Sequence, residues 1–252
     1  MTIIQAAIMG MVQGLTEFLP VSSSGHIILL PTLFGWGEPS TLFQIALHLG
    51  TLLAVAVYFW DDWRRILGGK DRPMFKSLAV ATVVTAILAA LVTKSRIVAE
   101  NPVVIVVTLV VFGLLLWWVD KRSATDAGAV PSTKQSLLLG VMQAVALVPG
   151  VSRSGILITT ARGMRMKRAD AARYAFLLSA PIIALTPLAL LLDRGPNAGM
   201  LDVAAVVGLV TAAVSGWLAI RLLLDLVQRV SYGWFAVYRI LLAGVIIIYV
   251  IS

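Results

Sequence analysis

The chain has 252 residues, 60% of them hydrophobic and 13% charged, with no cysteine and a formal net charge of +8. That composition describes a polytopic membrane protein and excludes a soluble domain, a disulfide scaffold and thiolate chemistry. The positive charge is what basic cytoplasmic loops produce, so nucleic acid is not an expected partner.

Residues 3–19 form an apolar run compatible with a helix, and no basic n-region of a cleaved signal peptide precedes it, so it is expected in the mature protein. Into this setting the stretch QGLTEFLPVSSSGH, Gln13 to His26, brings an amide, a carboxylate, three serines and an imidazole. Ionisable groups within hydrocarbon mark functional sites. Gln13 and Glu17 stand one helical turn apart and share a face. Pro20 biases Leu19 away from helical geometry and ends the helix. The Val-Ser-Ser-Ser-Gly that follows is turn and N-cap material, with Gly25 expected to take a backbone that other residues avoid. A second apolar run starts at His26 and ends near Phe34. The pattern predicts a helix–turn–helix that dips into the bilayer and returns to the same side, since broken backbone is tolerated at depth only where it lines a polar cavity. The second half-helix would aim unpaired N–H groups at that cavity, making an anion site suited to phosphate.

Residues 41–60 are the first complete span, and a basic loop over 61–76 carries Arg64, Arg65, Lys70, Arg72 and Lys76. Spans at 77–93 and 103–119 are joined through Asn101-Pro102. Residues 120–136 form a charged linker. Residues 137–160 are apolar but broken by Pro149-Gly150 and Arg153. A second basic loop, Arg162 to Arg173, leads to spans at 174–192, 202–223 and 235–251.

A shift of 130 superimposes two ungapped stretches. Gly10 falls on Gly140, Gln13 on Gln143, Val21 on Val151, Ser22 on Ser152, Ser24 on Ser154 and Gly25 on Gly155, while Pro149 is one place off Pro20. Each half then continues with three spans. This predicts an all-α integral membrane protein in a single domain over 1–252, built as repeat one (1–119), a linker (120–136) and repeat two (137–252). Three spans is an odd number, so a re-entrant segment in each half makes the second repeat inverted relative to the first, as in many transporters with a midplane site. With the loops at 61–76, 120–136, 161–173 and 221–234 inside, together with Arg239, the inside holds 16 of 20 Lys and Arg; Lys94, Arg96 and Arg194 lie outside. Both termini and the mouth of the first hairpin are then outside, by the positive-inside rule.

At the matched position Ser23 corresponds to Arg153. A pseudo-twofold axis would bring Ser22, Ser23, Ser24 and His26 against Ser152, Arg153 and Ser154. Arginine's fork fits phosphate oxygens bidentately, and Glu17 is the one acid placed in the membrane interior. Each residue also has a plainer reading. Arg153 could only balance Glu17, Ser22 and Ser24 could only cap helices, and His26 could only satisfy a local carbonyl. Gln44 and His48, one turn apart in the first span, suit core polarity as well as a supporting role behind the site. Trp60, Trp63, Trp117, Trp118, Trp234 and Tyr238 are expected at the membrane interfaces.

QGLTEFLPVSSSGH together with PGVSRSG, FQIALHLGT and the closing Tyr238-Arg239 resembles the undecaprenyl-pyrophosphate phosphatase family of the bacitracin-resistance type, over essentially the whole chain. The resemblance implies removal of the terminal phosphate of the C55 isoprenoid diphosphate at the outer face of the bacterial plasma membrane, recycling the carrier lipid for peptidoglycan. It also implies a divalent cation, Mg2+ or Ca2+, a homodimer, and a similar inverted-repeat fold. The family's acidic motif falls on Gln13 and Glu17, its serine and histidine loop on Ser22, Ser23, Ser24 and His26, and its arginine on Arg153. Gln13 and Gln44 stand where relatives often carry acids, which removes negative charge near the cation.

The mechanism expected on that basis is phosphoanhydride hydrolysis. Arg153 and the half-helix N-termini, with Ser22, Ser24, Gly25, Ser152 and Ser154, clamp the diphosphate, while Glu17 and Gln13 hold the cation. Ser23 is the expected nucleophile, with His26 or Glu17 taking its proton; metal-bound water is the alternative. The rival from another class is a carrier that flips polyprenyl phosphate through the same midplane site.

Overall fold

A computed structural model describes residues 1–95, 101–123, 128–194 and 202–251. All the secondary structure among them is helical. The helices are α1 (Ile3–Phe18), α2 (Ser23–Leu33), α3 (Thr41–Tyr58), α4 (Trp60–Leu67), α5 (Arg72–Ser95), α6 (Pro102–Arg122), α7 (Thr133–Val145), α8 (Arg153–Gly163), α9 (Arg168–Arg194), α10 (Val203–Arg229) and α11 (Gly233–Ile251). Among the described residues five helices are long and apolar enough to cross a membrane, namely α3, α5, α6, α9 and α10; α1 and α11 are apolar but shorter over their described lengths. The chain is an all-α, multi-pass membrane protein. Arg96, assigned above to an outside loop, lies outside the described residues, as does part of the 120–136 linker.

The helix starts follow local chemistry. Thr2 and Gln5 form a capping box at the head of α1, satisfying two N–H groups reciprocally, and Ser132 and Gln135 form the same device at the head of α7. These pairs are 130 positions apart. The second box starts α7 at Thr133, so the expected linker is shortened at that end, and α6 shortens it at the other by running on to Arg122. Leu19 is extended (φ −66°, ψ 139°), as Pro20 requires, and α1 stops there.

Close crossings hold the bundle together. α1 packs on α10, and α7 on α5. A Cβ at Gly10 would overlap the Gly208 carbonyl and the Thr211 hydroxyl, and one at Gly140 would lie 2.6 Å from the Ala81 carbonyl oxygen. Beside these glycines, Ser215 Oγ donates to the Thr211 carbonyl (2.7 Å) and lies 3.4 Å from the Gly10 carbonyl oxygen, while Thr85 Oγ1 lies 2.9 Å from the carbonyl oxygens of both Ala81 and Gly140. Thr85 and Ser215 are themselves 130 apart. Small residues at such crossings let backbones approach where lipid gives no hydrophobic drive to helix association. α9 is central, 56% of its span being buried, against 22% for α5 and α6, whose outer faces are left for lipid.

The basic loops are latched at one end of the bundle. Asp62 of α4 pairs with Arg65 (2.6 Å) and with Arg173 of α9. Asp120, 3% exposed, takes Arg162 Nε at 2.8 Å, Arg168 Nε at 2.9 Å and the Tyr232 amide at 3.2 Å. Arg162, counted above as a loop cation, is 2% exposed and spends its guanidinium on Asp120 and on the carbonyls of Ser123 and Met166.

Candidate active site

The site is built from the turns before α2 and α8. Of the three serines expected in the loop before α2, only Ser22 lies there. α2 starts at Ser23, so Ser23, Ser24 and Gly25 form its first helical turn. Gly25 is helical, and a Cβ there would meet nothing closer than 3.8 Å. The left-handed position falls on Ser22 (φ 76°) and, in the other turn, on Ser152 (φ 72°). Two matched non-glycine residues at positive φ are uncommon, and strain of this kind clusters at functional sites.

The two N-caps differ. Ser152 Oγ accepts from the Gly155 amide at 3.2 Å and is a plain helix cap. Ser22 makes no side-chain cap and bonds Ser24 Oγ at 3.1 Å, so the capping explanation fails for it. The turns interlock: Ser24 accepts from the Gly150 amide, and Ser154 donates to the Leu19 carbonyl.

Glu17, at the buried end of α1, is the focus. Its Oε2 accepts from Gln13 Nε2 at 3.0 Å and from Ser23 Oγ at 2.8 Å. Its Oε1 lies 3.8 Å from Arg153 Nη1, long for a charge-assisted contact. That Nη1 is buried and has no hydrogen-bond partner among the described residues. The two residues matched across the shift, Ser23 and Arg153, thus face the same carboxylate. Position 147, which matches Glu17, is leucine, and Gln143 donates instead to Thr85 at 3.1 Å. The acid occurs in one half only.

His26 stands apart from this trio. Its Nδ1 contacts the Ser22 carbonyl at 2.7 Å and its Nε2 the Tyr238 hydroxyl at 2.7 Å. A carbonyl only accepts, so in the neutral ring Nδ1 carries the proton and Nε2 accepts from tyrosine. Of the two bases considered for Ser23, Glu17 is the one in contact. Tyr238, assigned above to the interfacial belt, stacks on His26 at a centroid separation of 5.7 Å and belongs with the turn. Gln44 donates to the Pro39 carbonyl and His48 meets the Gln44 carbonyl, so the side-chain bonds of both stay local.

Sequence reasoning missed the role of Arg239. It was grouped with the inner-loop cations, but it is fully buried and donates to the carbonyls of Thr108, Leu109, Gly150 and Val151. It holds the second turn from behind. Its place in mid-helix among apolar residues was the available signal.

No three His, Cys, Asp or Glu side chains converge as a metal cage among the described residues. The site offers one carboxylate and a hydroxyl as hard oxygen donors, with Gln13 turning its amide nitrogen to Glu17, so its oxygen would have to rotate in to reach a shared ion. Magnesium is commonly bound by one or two carboxylates with substrate phosphates completing the shell. Glu17 and Gln13 fit a cation completed by a diphosphate.

The comparisons point the same way as the residues. A protein of Moorella thermoacetica named undecaprenyl-diphosphatase is 42% identical over 260 residues, covering 98% of this chain and 97% of its own. One of the same name from Pelotomaculum thermopropionicum is 40% identical over 257 residues (98% and 96%). The "Undecaprenyl-diphosphatase 2" of Stutzerimonas stutzeri is 40% identical over 266 residues (98% of both chains). The sequence profile described as "Bacitracin resistance protein BacA" matches residues 6–245, so the chain belongs to the bacitracin resistance protein BacA family.

Proposed function

We propose that the chain hydrolyses undecaprenyl diphosphate to undecaprenyl phosphate and inorganic phosphate, recycling the carrier lipid for peptidoglycan synthesis. Full-length similarity to proteins named for this activity supports the reading. The structural observation that carries it is the buried Nη1 of Arg153, which makes no hydrogen bond and stands 3.8 Å from the carboxylate that accepts from Ser23. At 3.8 Å the pair with Glu17 is not closed by a hydrogen bond, and a phosphate oxygen would complete the contacts of the guanidinium there.

In this reading Arg153 and the first turn of α2 bind the terminal phosphoryl group. Ser23 Oγ attacks its phosphorus, passing its proton to Glu17, while the anhydride bond breaks and undecaprenyl phosphate leaves. Water then releases phosphate from Ser23. A divalent cation, Mg2+ or Ca2+, held by Glu17 and Gln13 would offset the negative charge of the diphosphate. His26, tied to Tyr238, fixes the turn that carries Ser23.

The same proposal takes the chain as two inverted repeats with re-entrant α1–α2 and α7–α8 pairs, in the bacterial plasma membrane, as a homodimer. Both termini and the mouth of the site face outward. The matched capping boxes and the matched glycine crossings at Gly10 and Gly140 support the two repeats, and the loop charges support the orientation. The carrier reading has no comparable support. Phosphate release by detergent-solubilised protein separates the two, because transport needs two compartments and hydrolysis needs none. Release is expected; binding of the lipid without release would overturn the proposal.

A further inference from the structure

A groove of about 490 Å³ lies between the end of α1 and the corner that joins α10 to α11. Leu15, Leu19 and Val21 line one side, and Leu226, Trp234 and Phe235 the other. The hydroxyl of Thr16, also in its wall, is turned onto the Val12 carbonyl at 2.7 Å, so the lining is in effect apolar. Tyr238 lines the groove with its ring and meets His26 with its hydroxyl. The groove therefore ends at the turn that carries Ser23.

The equivalent place in the other half is sealed. Leu19 and Tyr238 correspond, 130 positions away, to Pro149 and Thr108. There Thr108 Oγ1 donates directly to the Pro149 carbonyl at 2.6 Å. Gly150 packs so closely that a Cβ would overlap the Thr108 hydroxyl and lie 2.7 Å from the Ile105 carbonyl oxygen. One turn is clamped to its neighbouring helix by a short threonine. The other is held off by a long tyrosine, with a channel left beside it. A requirement of packing alone would treat both places alike.

We propose that this groove seats the first isoprene units of the substrate's tail, an assignment that rests on the diphosphatase reading above. The substrate has one tail, and one of the two equivalent places is open. Continuity with the Ser23 turn selects a lipid whose phosphates reach that turn, which an ordinary phospholipid's do not when its headgroup lies at the membrane surface. Moving a tail from lipid into an apolar groove gains little hydrophobic free energy, because both surroundings are apolar. The groove acts by orientation: it fixes the direction in which the diphosphate enters and so the position of the terminal phosphorus.

The test is photolabelling of detergent-solubilised wild-type protein with a diazirine-bearing farnesyl diphosphate, mapped by mass spectrometry. Crosslinks are expected at 15–21 and 226–238, suppressed by excess undecaprenyl diphosphate and not by phosphatidylglycerol. Crosslinks confined to other helices would overturn the assignment, and suppression by the phospholipid would make the groove a seat for ordinary membrane lipid. Leu226→Trp, which fills the groove away from Ser23, should lower kcat/KM about tenfold to a hundredfold more for farnesyl diphosphate than for methyl diphosphate, which has no tail to seat. Equal effects on both substrates would contradict it. Wild-type phosphate release with crosslinks elsewhere rejects the groove alone; groove crosslinks without release reject the enzymatic reading instead.

Discussion

Ser24 and Ser154 each hydrogen-bond the backbone of the other's turn: Ser24 Oγ accepts from the Gly150 amide at 3.2 Å, and Ser154 Oγ donates to the Leu19 carbonyl at 3.1 Å. This reciprocal pair fixes the distance between the two helix starts. Glu17 and Ser23 are on one side of the junction and Arg153 is on the other, so the junction presets the site. Donors held in place before reaction need no reorganisation when charge develops.

Glu17→Gln keeps the volume of the side chain and its ability to accept from Ser23, but removes the charge and the base. Phosphate release should fall by about 10²–10³, with the elution profile of the solubilised protein unchanged. Gln13→Glu should retain activity and shift the magnesium titration to lower concentration. Near-normal turnover of Glu17→Gln at saturating magnesium would remove Glu17 from both roles.

Ser23→Ala should be as damaging as Glu17→Gln, and acid quench of the wild type should trap phosphoserine at position 23. His26→Gln should lose less, because His26 contacts Tyr238 and Ser22 and not Ser23. Retained activity in Ser23→Ala would give the attack to water.

The chain has no cysteine, so single-cysteine labelling has no background. Glu38 and Lys70 are both exposed. Cysteine at position 38 should react with an impermeant reagent in intact cells, and at position 70 only after permeabilisation. Equal labelling of both from outside would contradict a membrane crossing by α3 between them.

Gly10→Ala should destabilise the solubilised protein by about 1–3 kcal/mol through overpacking against α10, read as a fall in Tm. Gly25→Ala should leave Tm unchanged, since its Cβ has room. An unchanged Tm for Gly10→Ala would contradict the close α1–α10 crossing.

Much of this was legible in the residues. Pro20 and Pro149-Gly150 marked the breaks, and the 130-residue shift paired Ser23 with Arg153 before any coordinates. The capping boxes at Thr2–Gln5 and Ser132–Gln135 were equally visible and would have placed the start of α7. What sequence could not give was partner choice. Nothing local says that Ser23 turns to Glu17 and not to His26, because His26 finds its partner 212 residues away in Tyr238. Nor does composition separate a loop arginine from Arg239, whose acceptors come from α6 and the second turn. The residue at positive φ was also misplaced: glycine is the usual choice, yet Ser22 takes it and Gly25 is helical.

The central claim is that the guanidinium of Arg153 meets the transferring phosphoryl group. Arg153→Lys keeps the charge but replaces a planar fork with a point charge. Steady-state phosphate release from undecaprenyl diphosphate should show kcat reduced by about 10²–10³ with KM little changed, as expected for a contact made mainly in the transition state. A lysine variant with wild-type kcat would reduce Arg153 to a counter-ion for Glu17 and contradict the account.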